Sequence, residues 1–131
     1  MNTRKVSNNR VRGHNFERAI AKLFRTLGFD KTKTSRQASR LLDNSKVDLW
    51  GLPFNIQCKD GIQKGLSYSK VLSEMRELLA INYPDTDPQI TYPKIIIHKK
   101  LPFGKKRVEE DTLVVTTLED FIKIITSQYG N

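Results

Sequence analysis

The chain has one cysteine, Cys58, among 131 residues. A lone cysteine excludes a disulfide framework and a cysteine-rich zinc site. Long apolar runs are missing too: no stretch approaches the roughly 20 residues that cross a bilayer, so a membrane-embedded role is not expected. Met1 is followed by polar and basic residues rather than the apolar core of a secretory leader, and the expected location is the cytoplasm. What the first third lacks is acid. Residues 1–46 hold twelve Lys/Arg against three Asp/Glu, whereas residues 47–131 hold eleven of each, so the whole net charge of +9 sits before residue 47. That asymmetry points to a polyanionic partner, most simply nucleic acid. A merely solvated basic surface is the plainer alternative.

The length suits one domain with a real core. The organising stretch is Val47 to Asp60. Val47 to Trp50 is apolar except for Asp48, Gly51-Leu52-Pro53 is turn chemistry, and Phe54 to Lys59 alternates as a strand. The alternation puts Phe54, Ile56 and Cys58 on one face and Asn55, Gln57 and Lys59 on the other. Cys58 is then a small buried hydrophobe. A hairpin would bring Gln57 and Lys59 beside Asp48. A carboxylate, an amide oxygen and an ammonium converging at a strand end can bind a hard cation and position a water.

Residues 1–12 carry Arg4, Lys5, Arg10 and Arg12 with little to bury, and read as a flexible basic arm before a single domain over 13–131. The arm either tracks a phosphate backbone or is an inert tail. His14 to Leu27 is predicted as an amphipathic helix, with Phe16, Ile20, Leu23, Phe24 and Leu27 on one stripe and Gly28 as its stop. Glu17 falls on the edge of that stripe and has no cation three or four residues downstream. It is either an N-terminal carboxylate favoured by the helix dipole or a ligand. His14 reads as polar surface or a phosphate contact.

Phe29 to Ser35 is expected as a short strand, and 36–46 as a polar loop with room for one helical turn. A second amphipathic helix spans Ser67 to Asn82, capped by Ser67 or Ser69. Lys94 to His98 reads as a buried strand. Leu101 to Asp111 reads as an exposed hairpin or loop with Lys105, Lys106 and Arg107 at its tip. Thr112 to Thr116 is another strand, and Leu118, Phe121, Ile122 and Ile125 define a last helix behind a capping pattern at Thr117. The order is α-β-β-β-α-β-β-α, an α/β domain with a mixed sheet covered by helices.

Asp48, a turn, then Gln57-Cys58-Lys59 resembles the core of the PD-(D/E)xK, or restriction-endonuclease-like, nucleases. With Gly13, Glu17 and Arg18 before it and Gly28-Phe29 between, the chain resembles the Holliday junction resolvases of archaeal and phage type over roughly Gly13 to Lys59. It departs from them in having Gln57 where the family usually has Glu. The resemblance implies the restriction-endonuclease-like fold and a homodimer. It implies Mg2+, with Mn2+ able to substitute, held by Glu17, Asp48 and Gln57, with Lys59 acting on the attacking water. It also implies a serine near the scissile phosphate, for which Ser35 and Ser39 are both candidates. DNA contacts are expected from the arm cations, His14, Arg18, Lys33, Ser35, Arg36, Ser39, Arg40 and Lys105 to Arg107. For a phage-encoded chain the compartment would be the host cytoplasm. The expected activity is metal-dependent cleavage of DNA phosphodiesters, most simply at four-way junctions. A nicking, repair or restriction nuclease of the same fold, and a nucleic-acid-binding module on a decayed nuclease scaffold, remain alternatives.

Overall fold

The computed structural model describes residues 3–100 and 111–128, the side chains of 3–8 and 128 excepted. Helix α1 runs Thr3–Thr26, so it begins well before His14, and residues expected as an arm are helical. Nothing in 3–12 breaks a helix, and Gly13 alone is tolerated at a cost of about 1 kcal/mol. Phe16, Ile20 and Ala21 are fully buried. Gly28 ends the helix at φ 110°, with the Phe29 N–H donating back to the Phe24 carbonyl at 3.1 Å. Phe29 then stacks edge-on between Phe24 and Phe54.

Only Lys33–Thr34 of the expected strand over 29–35 is extended, as β1. Two short helices, α2 (Ser35–Ala38) and α3 (Arg40–Asn44), fill most of the expected loop. Ser39 separates them and caps α3, its Oγ accepting the Leu42 N–H at 3.2 Å. Helix α3 closes with a left-handed Lys46 (φ 67°), where the Val47 N–H donates to the Leu42 carbonyl at 3.0 Å. This is a Schellman closure with lysine where glycine is favoured.

Among the described residues the expected mixed sheet is divided into two. Strand β2 (Leu49–Trp50) pairs antiparallel with β1. Strand β3 (Asn55–Asp60) pairs parallel with β4 (Lys94–Lys99), which pairs antiparallel with β5 (Thr112–Thr116). Helix α4 (Tyr68–Asn82), capped by Ser67, makes the crossover between the parallel strands. The turn between β2 and β3 needs Gly51: its φ is 92°, and a Cβ there would sit 3.2 Å from the Lys31 carbonyl oxygen. The protein is a mixed α/β fold with two apolar layers. On one side of the larger sheet Ile56, Ile95 and Ile97 meet Phe16 and Ile20 of α1. On the other, Ile96 meets Leu72, Met75 and Leu79 of α4, with Leu42 and Val47.

The last helix, α5 (Leu118–Gln128), is rotated against its own apolar stripe. Leu118, Phe121, Ile122 and Ile125 are exposed, while Asp120 is buried and Ile124 packs on the α1-side core. The rotation is set by polar anchors: Asp120 Oδ2 accepts the Lys94 N–H at 2.9 Å, and Thr117 Oγ1 accepts the Asp120 N–H at 3.1 Å. No helix among the described residues is long and apolar enough to cross a membrane.

Candidate functional site

Asp48 sits where the two sheets meet, held by main-chain bonds on both sides. Its N–H donates to the Ile56 carbonyl at 2.7 Å, and its carbonyl accepts the Ser35 N–H at 2.8 Å. Its carboxylate oxygen Oδ2 accepts the Cys58 N–H at 2.7 Å. These contacts do what a β2–β3 hairpin ladder was expected to do. The carboxyl is nevertheless raised from its ordinary value to about 7: burial is the main cause, the charge of Glu17 the next, and the Cys58 N–H and Lys59 ammonium only partly oppose them. Two carboxylates are thus close enough to repel, with Lys59 near enough to offset part of the repulsion.

Glu17 lies at the edge of the buried face of α1, as expected, but it is not without a partner. Arg36 of α2 pairs with it, Nη2 to Oε1 at 3.2 Å. Gln57 and Lys59 share one face of β3, in register with Ile96 and His98. Among the described residues no hydrogen bond ties the Gln57 amide to either carboxylate. Cys58 faces α1 and is partly buried; burial first, then Asp48 and Glu17, push its thiol well above the usual range, so it is an inert core residue. Asp60 alternates to the α1 side and pairs with Arg12 at 3.0 Å.

The expected DNA contacts divide. Arg12 and Arg36 each pair with one carboxylate, Asp60 and Glu17. Arg10, Arg18, Lys33 and Arg40 are exposed, and His14 is half-buried. Ser39 is committed to its cap. Ser35 lies next to Asp48, but it is fully buried and its hydroxyl has no hydrogen-bond partner. Arg4 and Lys5 lie on α1 with side chains outside the described residues, and Lys105, Lys106 and Arg107 lie outside them altogether. A broad groove of about 680 Å3 at the start of α4, lined by Ser67, Lys70 and Glu77 among others, holds none of the expected site residues.

Sequence reading missed three participants. The Cys58 N–H anchors Asp48 through the backbone, which no residue identity signals. His98 joins Tyr68 to the turn after Lys59, its Nδ1 2.8 Å from the Tyr68 hydroxyl and its Nε2 2.7 Å from the Gly61 carbonyl. Arg25 joins Arg18 and Lys33 around a small cavity.

Among the described residues no three His, Cys, Asp or Glu side chains gather as a metal cage. Glu17 and Asp48 are oxygen donors, the type that hard cations take; Gln57, also an oxygen donor, lies on the α4 side of β3, away from α1. The mutual repulsion of the two carboxylates is what a cation between them would relieve. No protein-family model, curated protein or solved structure matches this chain.

Proposed function

We propose that this protein is a Mg2+-dependent endonuclease acting on branched DNA, most simply a four-way junction, on a restriction-endonuclease-like core. The observation that carries the reading is Asp48: its main chain is held by Ile56 and Ser35, its carboxylate accepts the Cys58 N–H at 2.7 Å, and the charges of Glu17 and Lys59 both act on it. A buried carboxyl raised by burial and by a second carboxylate, with Lys59 and the Glu17–Arg36 pair around it, is a candidate functional group.

Glu17, Asp48 and the Gln57 amide oxygen would hold Mg2+, or Mn2+ in its place. The ion supplies Lewis acidity and lowers the pKa of a nearby water. Lys59 would orient an attacking water and offset charge on the phosphorane-like transition state. Because Gln57 brings no negative charge, the free site would hold the ion weakly. Gln57→Glu should therefore tighten metal binding in the absence of DNA, which calorimetry reads directly. Arg36 is the cation that Glu17 must exchange for the metal. A homodimer, presenting two sites to two symmetry-related strands, belongs to the same proposal, and the outward stripe of α5 is an apolar surface it could use.

The test is incubation with Mg2+ and a set of four-way, flapped, nicked and plain duplex DNAs. Paired symmetric nicks in the four-way substrate are expected; equal cutting of plain duplex would assign the site to a nicking, repair or restriction role instead. The second reading, a binding module on a decayed nuclease, draws on Gln57 and on the Glu17–Arg36 pair. Tight DNA binding with no cutting at any Mg2+ or Mn2+ concentration would select it.

A further inference from the structure

We infer that the cavity between α1 and the β1–α2 segment is a phosphate-binding pocket that takes one backbone phosphate of the DNA, beside the proposed cleavage site. The cavity is about 110 Å3 and is lined by Arg18, Ala21, Arg25, Lys33, Thr34 and Gln37. It opens to solvent, with Arg18, Arg25, Lys33 and Gln37 exposed at its rim, and has room for a small anion.

The construction follows from helical spacing. Residues 18, 21 and 25 are three and four apart, so they share one face of α1. Ala21 is buried and its small side chain leaves the floor open between the two arginines. Lys33 and Gln37 form the opposite wall. Arg25 is fixed by its Nη1 donating to the Thr32 carbonyl at 2.9 Å, and Arg18 by its Nη2 donating to Asn15 Oδ1 at 2.6 Å. Both arginines keep further N–H donors free, since a guanidinium carries five.

Charge separates this place from the rest of the basic surface nearby. Arg12 and Arg36 each pair with a carboxylate. Arg18, Arg25 and Lys33 have none among the described residues, and no acidic residue lines the cavity. Three cations therefore face one concavity with no carboxylate beside them. The position argues for a nucleic-acid phosphate. Arg18 follows Glu17 and Gln37 follows Arg36, so the pocket opens next to the ion pair that spans α1 and α2 at 3.2 Å. An anion seated there would lie on the Glu17–Arg36 side of the proposed site.

The ligand assignment rests on the nuclease reading; the existence of the pocket does not, and the test separates them. Amide chemical shifts are followed on adding inorganic phosphate, with sodium chloride of matched ionic strength as the reference. Shifts confined to 18–37 and abolished in Arg25→Gln/Lys33→Gln are expected; shifts spread evenly over the basic surface, or none, overturn the pocket. Lys33→Gln alone, at an exposed position, covers the case in which the Arg25 change loosens the fold. In parallel, four-way junction binding is measured against salt. Loss of one phosphate contact should shallow the slope of log K against log[salt] by about 0.9 and weaken binding about tenfold at low salt, with metal affinity unchanged and Lys64→Gln inert. An unchanged slope with phosphate still bound overturns the DNA assignment. Should Asp48→Asn cut DNA as well as wild type, the nuclease reading fails while the phosphate titration still decides the pocket.

Discussion

Helices α1 and α5 both carry apolar residues three and four apart, yet α1 turns Phe16 and Ile20 into the core while α5 leaves Leu118, Phe121 and Ile122 in solvent. The spacing that makes a helix amphipathic does not say which way the stripe faces. In α1 burial of Phe16 and Ile20 sets the rotation, and only Leu27 at the end of the stripe is left exposed. In α5 a buried carboxylate, Asp120, caps the Lys94 N–H and fixes the rotation, so Ile124 goes inward and the stripe goes out. An unmet buried N–H costs about 1–3 kcal/mol, comparable to what one more buried aliphatic side chain returns. The two helices differ in surroundings as well: α1 carries Glu17 beside Asp48 and Arg36, and α5 presents an apolar surface.

The largest effect should come from breaking the contrast directly. Phe16→Ala should destabilise the fold by about 3–5 kcal/mol, as expected for a fully buried aromatic, whereas Phe121→Ala, at 48 % exposure, should cost about 0.5–1 kcal/mol. Urea unfolding of the two variants checks this. Equal losses would mean that α5 buries its stripe in solution.

Next comes the strain at Asp48. Its folded pKa of about 7 lies above the unfolded value of 3.8, so the folded state binds the extra proton between those values. Stability from this group is therefore greatest at low pH and falls as pH rises from about 4 to 7. Asp48→Asn keeps an acceptor for the Cys58 N–H without the charge. It should be more stable than wild type by roughly 2–4 kcal/mol at pH 8, with the difference gone near pH 4. Denaturation of both proteins at the two pH values reads this, and a difference that does not change with pH would remove the strain from the account.

The smallest effect concerns the approach to the site. Lys46 occupies a left-handed position (φ 67°) at the close of α3. Lys46→Gly should stabilise by up to about 1 kcal/mol, because glycine adopts that conformation without a Cβ penalty. A loss of stability would mean that the Lys46 side chain contributes a contact elsewhere.

These cases show what was legible in the sequence. Element types for long periodic segments were: α4 and β5 fall within a residue of their expected spans, and β4 within one residue of its expected end. The placement of Asp48 near Lys59 followed from strand alternation and a turn at Gly51. What could not be read was through-space or backbone-borne. The Cys58 N–H that holds Asp48 leaves no mark in residue identity. The Arg36 guanidinium that meets Glu17 comes from another helix, nineteen residues away. The polar segment 36–46 gave no periodicity to mark two helices of four and five residues. The start of α1 was missed because residues 3–12 lack an apolar stripe, although nothing in them opposes helix.

The central claim is that Asp48 and its neighbours form a metal-dependent cleavage site. Its most direct test is cleavage of a four-way junction over a Mg2+ titration, with wild type and Asp48→Asn side by side and DNA binding measured in the same samples. The account predicts that wild type nicks the junction only when Mg2+ is present, and that Asp48→Asn binds it within a few-fold but does not cut. Cutting by Asp48→Asn at the wild-type rate, or no cutting by wild type at any Mg2+ concentration, would contradict it.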